Sequence, residues 1–150
     1  HLVIGVDKSL HRLSNNLEQN TFYYKDTLIL VRPDLIDFWR LAVKEHWILE
    51  QHYLLYPNPW PKKKHLIRRW YAHPVFPYIL KLGGHLECRS NWSCYIEEFT
   101  KCLGYLGYKH TNNKCINPIE YLTTFEQKYH QSGHSLYQLV CELDSRNTDS

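Results

Sequence analysis

The chain has 150 residues, of which 43% are hydrophobic and 22% charged, and this composition fits one globular domain with a buried core. No apolar run approaches the roughly 20 residues that a membrane-spanning helix needs, which argues against a membrane protein. The five cysteines include no Cys-x-x-Cys pair, which argues against a disulfide framework and favours a reducing, cytoplasmic setting. The ten histidines are scattered along the chain, which argues against a metal site.

Short apolar runs alternate with stretches of helical periodicity along most of the chain. The predicted strands are Leu2–Val6, Thr27–Val31, Gln51–Tyr56 and His85–Arg89, with two more around Tyr108 and over Ser135–Cys141. The predicted helices are Ser9–Leu17, Leu35–Val43, Pro74–Lys81 and Ser93–Leu103. This alternation predicts an open α/β sheet that is mostly parallel and has an antiparallel C-terminal end.

A short polar side chain follows four of the predicted strands. These residues are Asp7, Asp34, Asn58 and Asn91. Ligands of open α/β sheets bind at the carboxyl ends of the strands, and a nucleoside would use such side chains there. Helix caps and turns use the same residue types, so each position taken singly also fits a structural role. Asp34, for example, is equally well placed to cap the helix that follows it.

Positive charge is concentrated in the middle of the sequence. No acidic residue occurs between Glu50 and Glu87, whereas the segment carries six cations: Lys62, Lys63, Lys64, Arg68, Arg69 and Lys81. The remainder of the chain contains twelve basic and fifteen acidic residues, so its net charge is −3. Such an uneven distribution fits a polyanionic partner, and it also fits a solvated loop.

The segment Tyr-Pro-Asn-Pro-Trp-Pro, residues 56–61, is the most specific feature of the sequence and is called here the proline-rich loop. Its three prolines fix φ and restrict the residues before them, so Asn58 is held with little conformational freedom. The side chains that follow can contact RNA phosphates, and nearby aromatic rings can stack on bases: Lys62, Lys63, Lys64, Arg68 and Arg69, and Trp60, Trp70 and Tyr71. A rigid surface turn is the structural alternative, but the combination favours RNA.

The proline-rich loop and the Lys-Lys-Lys-His that follows it resemble the signature of the tRNA (guanine-N7)-methyltransferases. Further segments resemble motifs of that family in the same order: Gly5-Val6-Asp7, Pro33-Asp34-Leu35, Leu82-Gly83-Gly84-His85-Leu86, Ser90-Asn91-Trp92, Thr123-Thr124-Phe125-Glu126 and Gly133-His134. The resemblance extends over roughly residues 1–141.

The resemblance implies a Rossmann-like class I methyltransferase fold, with S-adenosylmethionine as methyl donor and a guanine of tRNA as acceptor. By position, Asp7 and Asp34 would bind the cofactor, and Asn58 stands at the family's catalytic position. The substrate would be engaged by Lys62, Asn91, Thr123, Thr124, Phe125 and Glu126. A partner subunit is compatible with the sequence but not indicated by it.

The sequence departs from the family pattern in two ways. Asn occupies positions 58 and 91, where the family usually has Asp, which favours weakened catalysis or a different acceptor. The chain opens on His1, and the family's first strand and Gly-rich cofactor loop are expected to precede the strand that ends at Asp7. Residues 1–143 are therefore expected to form a partial methyltransferase domain, followed by a polar tail over 144–150. The alternative functions are a catalytically inactive, methyltransferase-like tRNA-binding subunit and a methyltransferase with a different acceptor.

Overall fold

The computed structural model describes residues 2–7, 22–25, 28–31, 33–109 and 111–145, and the chain divides into two compact units, 1–47 and 48–150. In the first unit the strands are β1 (Val3–Val6), β2 (Phe22–Lys25) and β3 (Leu28–Val31), and the helix is α1 (Leu35–Lys44). β1 and β3 are parallel neighbours, whereas β2 lies antiparallel on the other side of β3.

The first unit confirms the predicted strands at Leu2–Val6 and Thr27–Val31 and the predicted helix at Leu35–Val43. β2 was not predicted. The helix predicted over Ser9–Leu17 lies outside the described residues. α1 buries Trp39 and Ala42, which are three residues apart and therefore on one face of the helix.

The second unit is built on a four-stranded sheet in the order β4-β5-β7-β6. β4 and β5 are parallel, while β7 is antiparallel to both β5 and β6, so the predicted antiparallel C-terminal end is confirmed. The strands and helices of this unit are β4 (Gln51–Leu55), α2 (Phe76–Lys81), β5 (His85–Ser90), α3 (Ser93–Tyr105), β6 (Thr111–Ile116), α4 (Thr124–Gln131) and β7 (Leu136–Glu142).

The core of the second unit lies between this sheet and helices α2 and α3. β5 has neighbours on both sides, and its Leu86 and Cys88 are fully buried. Phe99 of α3 packs edge-on to Phe76 of α2 at 5.6 Å between ring centroids and is itself fully buried. Aromatic side chains bury large areas, so this packing fixes α2 against α3, and α3 in turn contacts β5, β6 and β7.

Two elements of the second unit differ from the predictions. The strand expected around Tyr108 is found at Thr111–Ile116, and Tyr108 is instead a buried residue whose N–H donates to Leu103 O at the end of α3. α4 was not predicted, because its sequence, Thr-Phe-Glu-Gln-Lys-Tyr-His-Gln, is mostly polar. A helix with so few apolar residues gives little periodic signal.

The turn before β5 depends on glycine at position 84. Gly84 has φ +77°, and a Cβ added there would lie 2.1 Å from Leu49 O. The Gly84 N–H donates to Asp144 Oδ1 at 3.3 Å, so Asp144, expected to begin the polar tail, is held by this turn. That residues 1–143 form one partial methyltransferase domain stays a prediction.

No helix in the described part of the chain is long and apolar enough to cross a membrane. Among the same residues, His, Cys, Asp and Glu side chains form no group of three that could hold a metal ion.

Candidate functional site

In the first unit the two predicted cofactor residues lie at the same edge of the sheet. Asp7 follows β1, and its N–H donates to Val31 O, the last residue of the parallel neighbour β3, at 3.3 Å. Asp34 lies three residues after Val31 and caps α1. Its Oδ1 accepts from the N–H groups of Ile36 at 2.9 Å and Asp37 at 3.4 Å. The capping role expected for Asp34 is therefore confirmed, and a ligand role stays a prediction.

In the second unit the proline-rich loop leaves the carboxyl end of β4 in a strained conformation. Tyr56 and Trp60 both have positive φ, at 53° and 44°, in a region that non-glycine residues rarely adopt. The Tyr56 N–H donates to Arg89 O on β5 at 2.8 Å. Asn58 lies between the two strained residues and is exposed, and its Oδ1 accepts from the Trp60 N–H at 3.2 Å. Strain of this kind persists only where surrounding contacts enforce the conformation.

Arg69 is one of these contacts, and the structure corrects the prediction that it binds the RNA backbone. It is 6% exposed, and its Nε and Nη2 donate to Trp60 O at 3.3 and 3.2 Å. Its Nη1 donates to Glu98 Oε2 at 2.6 Å and to the hydroxyl of Tyr71 at 3.0 Å. Because its donors are used inside the protein, Arg69 holds the proline-rich loop against α3 instead of facing a ligand.

The other cations next to the loop are exposed. Lys62, Lys63, Lys64 and Arg68, called here the exposed basic cluster, lie at the start of and within a 3-10 helix over Lys63–Arg68. The Arg68 guanidinium stands 4.8 Å from the centroid of the Trp60 ring, which is a cation–π distance. One face of Trp60 is thus covered by a cation that belongs to the same surface.

At the end of β5, Asn91 lies beside His134, which the sequence placed in a separate motif. Asn91 Nδ2 and His134 Nδ1 are 3.2 Å apart, a hydrogen-bond distance. The His134 ring also packs on Tyr129 at 5.4 Å between centroids, and Tyr129 packs on Tyr56 at 5.7 Å. The fold therefore brings the end of β5, the end of α4 and the start of the proline-rich loop together.

Thr123 and Glu126 form the beginning of α4. Thr123 caps the helix, with its Oγ1 accepting from the Glu126 N–H at 3.1 Å. Thr124 is exposed and Phe125 half-buried, and the substrate contacts expected of Thr123, Thr124 and Phe125 stay a prediction.

Glu126 itself is fully buried, and the structure corrects its predicted role as a residue that contacts substrate. Its Oε1 accepts from the Tyr56 hydroxyl and from Arg89 Nη1, both at 2.7 Å, and its Oε2 accepts from the Leu122 N–H at 2.8 Å. Burial raises the pKa of Glu126, but the hydrogen bonds from Arg89, the Leu122 N–H and Tyr56 outweigh it, so the pKa lies below its ordinary value. Glu126 is an anion that ties α4 to β5 and to the proline-rich loop.

Tyr56 and Arg89 were not predicted as parts of this arrangement. Arg89 Nε also donates to Glu87 Oε2 at 2.8 Å, so the guanidinium lies between two carboxylates, those of Glu87 and Glu126. A signal was present: Glu87 and Arg89 are charged residues two apart in a central strand, so they share one face of it. Charges in such a strand require partners.

The alternating strands and helices, with polar side chains at the carboxyl ends of β1, β3, β4 and β5, define a class I methyltransferase fold. The model of the family described as "Putative methyltransferase" matches residues 1–139, and the chain belongs to this family.

Similar proteins include curated tRNA (guanine-N(7)-)-methyltransferases. That of Salmonella choleraesuis (strain SC-B67) is 31% identical over 97 residues, which cover 59% of this chain and 41% of the relative. That of Shewanella frigidimarina (strain NCIMB 400) is 32% identical over 114 residues, covering 68% of this chain and 48% of the relative. The chain thus spans less than half the length of these two relatives.

Solved structures share the fold at low identity. A protein described as "a putative methyltransferase complexed with SAH" superposes with a TM-score of 0.58 and 11% identity, over 94% of this chain and 39% of that one. A SAM dependent methyltransferase from Archaeoglobus fulgidus gives 0.51 and 10%, over 93% and 75%.

Proposed function

We propose that the protein is an S-adenosylmethionine-dependent methyltransferase that acts on guanine N7 in tRNA. The observation that carries the proposal is the proline-rich loop at the end of β4, held rigid from inside by Arg69 and followed by the exposed basic cluster. A stiff loop that presents one polar side chain beside four exposed cations suits a base held in place while phosphates are bound. The activity named for the curated relatives supports the same function.

The first unit offers side chains that fit the cofactor. Asp7 and Asp34 are carboxylates at the carboxyl ends of neighbouring parallel strands, and carboxylates accept hydrogen bonds from ribose hydroxyls and from an adenine amine. When bound, S-adenosylmethionine supplies an electrophilic methyl group on a sulfonium. Asp7 would hold the ribose, and Asp34 would face the adenine while it also caps α1.

In the second unit the chain's residues need only to bind and orient the acceptor. Guanine N7 already carries a lone pair, so no strong base is required to expose the nucleophile, and alignment supplies most of the rate. The target base must leave its stack to be reached. Asn58 and Asn91 would hold its polar edge, with Lys62 near its phosphate, and Thr123, Thr124 and Phe125 would line the approach. Glu126 would act through Tyr56 by fixing the loop.

The exposed basic cluster would bind the tRNA backbone. Its four cations lie within seven residues of chain, and no acidic residue interrupts them. Contacts between lysine or arginine and phosphate contribute affinity with little sequence preference and weaken as salt rises. The side chains at the strand ends would therefore determine which base is selected. The affinity for tRNA would depend on Lys62, Lys63, Lys64 and Arg68.

The test uses the protein in its natural full length with tRNA and methyl-labelled S-adenosylmethionine. Nucleoside analysis of the recovered tRNA should show labelled 7-methylguanosine. Isothermal titration with S-adenosylmethionine should show saturable heat, and no heat at millimolar cofactor would contradict the enzymatic function. A triple Lys62→Ala, Lys63→Ala, Lys64→Ala variant should bind the cofactor normally and tRNA weakly.

A catalytically inactive tRNA-binding subunit is the second candidate, favoured by the uncharged amides at positions 58 and 91. Neither amide can balance positive charge on a methylated guanine as a carboxylate would. Salt-sensitive tRNA binding without cofactor heat or methyl transfer would support this candidate over the enzyme. Labelled 7-methylguanosine would exclude it.

A further inference from the structure

The side-chain amide of Asn58 has one defined orientation. The Trp60 N–H is a donor, so the atom of Asn58 that meets it at 3.2 Å must be the amide oxygen. Pro57 and Pro59 flank Asn58, and positive φ at Tyr56 and Trp60 fixes the chain on both sides. Turning the amide over would bring Nδ2 against the Trp60 N–H, donor against donor.

This orientation leaves a donor group for a ligand. Asn58 is exposed, and nothing in the described part of the chain accepts a hydrogen bond from its Nδ2. A carboxylate at this position would use one oxygen for the Trp60 N–H and leave the other as an acceptor. Asn in place of Asp therefore reverses the polarity of the atom available to the ligand while it preserves the hydrogen bond inside the loop.

We propose that Asn58 is a specificity-determining residue that donates from Nδ2 to a hydrogen-bond acceptor on the target base, namely O6 of guanine. This rests on the proposed function. The Hoogsteen edge of guanine carries two acceptors, N7 and O6. N7 must keep its lone pair for the methyl group, so O6 is the acceptor that remains on that edge. A carboxylate at 58 would instead accept from the N1–H and the 2-amino group on the other edge.

The two modes of recognition differ in the step that they assist. Methylation places positive charge on the base, which strengthens a bond from N1–H or N2–H to a carboxylate and weakens a bond from a neutral donor to O6. The bond from Asn58 to O6 therefore contributes to kcat/KM by binding the base, but it does not strengthen in the transition state and does not raise kcat. An Asn58→Asp variant should raise kcat, whereas preference for the 6-oxo group should be lost.

The experiment measures kcat/KM of the full-length protein and its Asn58→Asp variant, after the methylated position is mapped by mass spectrometry. The substrates are the tRNA itself, the tRNA with 6-thioguanosine at the target, whose sulfur is a poor acceptor, and the tRNA with inosine there, which lacks the 2-amino group. Any intrinsic effect of an analogue on N7 is the same for both proteins, so each analogue is judged by the ratio between them. The Asp variant keeps an acceptor for the Trp60 N–H and should retain the wild-type melting temperature.

We expect a crossover. Relative to the variant, the wild type should lose about fivefold more kcat/KM on 6-thioguanosine, which corresponds to one neutral hydrogen bond, and it should lose less on inosine. Equal ratios for the two proteins, with methylation of normal tRNA intact, would overturn the role of Asn58 alone. If the wild type methylates no guanosine at all, the proposed function fails, and this inference falls with it.

Discussion

The phenol oxygen of Tyr56 lies 2.7 Å from Oε1 of Glu126, so the residue that opens the proline-rich loop is joined to the first turn of α4. Glu126 also accepts from Arg89, and the three side chains link the proline-rich loop, β5 and α4 at one point. Glu126 is fully buried, and within the described part of the chain its charge is compensated by these neighbours and the Leu122 N–H.

Removal of the Glu126 carboxylate should destabilise the fold strongly. In Glu126→Ala, Arg89 loses one of the two carboxylates that it contacts among the described residues, and the Tyr56 hydroxyl loses its acceptor. We therefore expect the free energy of unfolding to fall by about 3 kcal/mol. Urea denaturation measures this loss. Glu97→Ala, an exposed position on α3, is the control and should change stability by less than about 0.5 kcal/mol. Similar losses for the two variants would contradict the role given to Glu126.

The same carboxylate gives the stability a dependence on acid. The pKa of Glu126 is below its ordinary value of 4.5 in the folded protein, so its contribution is complete above that value and is lost as pH falls through the folded pKa. Glu126→Gln should lack this component. The stability difference between wild type and Glu126→Gln should therefore shrink below pH 4.5, and a difference that is constant with pH would argue against an ionised Glu126.

Arg69 and the exposed basic cluster should respond differently in tRNA binding. Arg69→Ala removes the donors to Trp60 O and Glu98, and we expect about 2 kcal/mol less stability, weaker tRNA binding and an unchanged salt dependence. The triple lysine variant should keep its stability. Its association constant for tRNA should fall less steeply with salt, so that the slope of log K against log salt is smaller in magnitude by about 2 to 3. Fluorescence anisotropy over a salt series compares the two. A smaller slope for Arg69→Ala would mean that Arg69 contacts phosphate after all.

His52 should make the protein less stable between pH 6.5 and 4. Burial on β4 lowers the pKa of His52 from 6.5 to about 4, so in this range the unfolded chain binds a proton that the folded chain excludes. The contribution of neutral His52 to the free energy of unfolding is complete above pH 6.5. It decreases as the pH falls towards 4, by about 3 kcal/mol in total. Denaturation of His52→Leu across this range should show a flatter profile, while His46→Asn, an exposed site, should follow the wild type. Parallel profiles for His52→Leu and wild type would refute the assignment.

Two glycines should respond to alanine with opposite signs. At Gly84 an added Cβ meets Leu49 O at 2.1 Å and φ is +77°, so Gly84→Ala should destabilise the fold by about 3 kcal/mol or more. At Gly104, within α3, no atom lies within 4 Å of an added Cβ, and Ala should stabilise the helix by about 0.5–1 kcal/mol. Thermal denaturation of both variants measures these changes, and a stabilised Gly84→Ala would contradict the close approach of Leu49 O to Gly84.

The sequence predicted the elements whose pattern is local. Apolar runs located β4, β5 and β7, and the prolines of residues 57–61 identified the loop after β4. It could not tell which of two adjacent arginines turns inward, because Arg68 and Arg69 differ only in what the fold brings near them. Arg69 meets Glu98, 29 residues away, whereas Arg68 covers Trp60 at the surface.

The role of Glu126 escaped prediction for the same reason. A glutamate in a polar helix resembles a surface residue, and its burial depends on Arg89 and Tyr56, which lie 37 and 70 residues away. Family resemblance marked Glu126 as important but gave it contact with substrate. The distances assign it to the support of the loop instead.

Strand β6, found later in the sequence than predicted, affects how the protein behaves at high concentration. β6 is the last strand in the order β4-β5-β7-β6, and in the part of the chain that the structure describes no other strand pairs with its outer side. A long apolar edge there would invite strands from other copies, whereas residues 111–114 are Thr-Asn-Asn-Lys. The polar composition that hid β6 from hydrophobic periodicity is thus a safeguard against edge-to-edge aggregation.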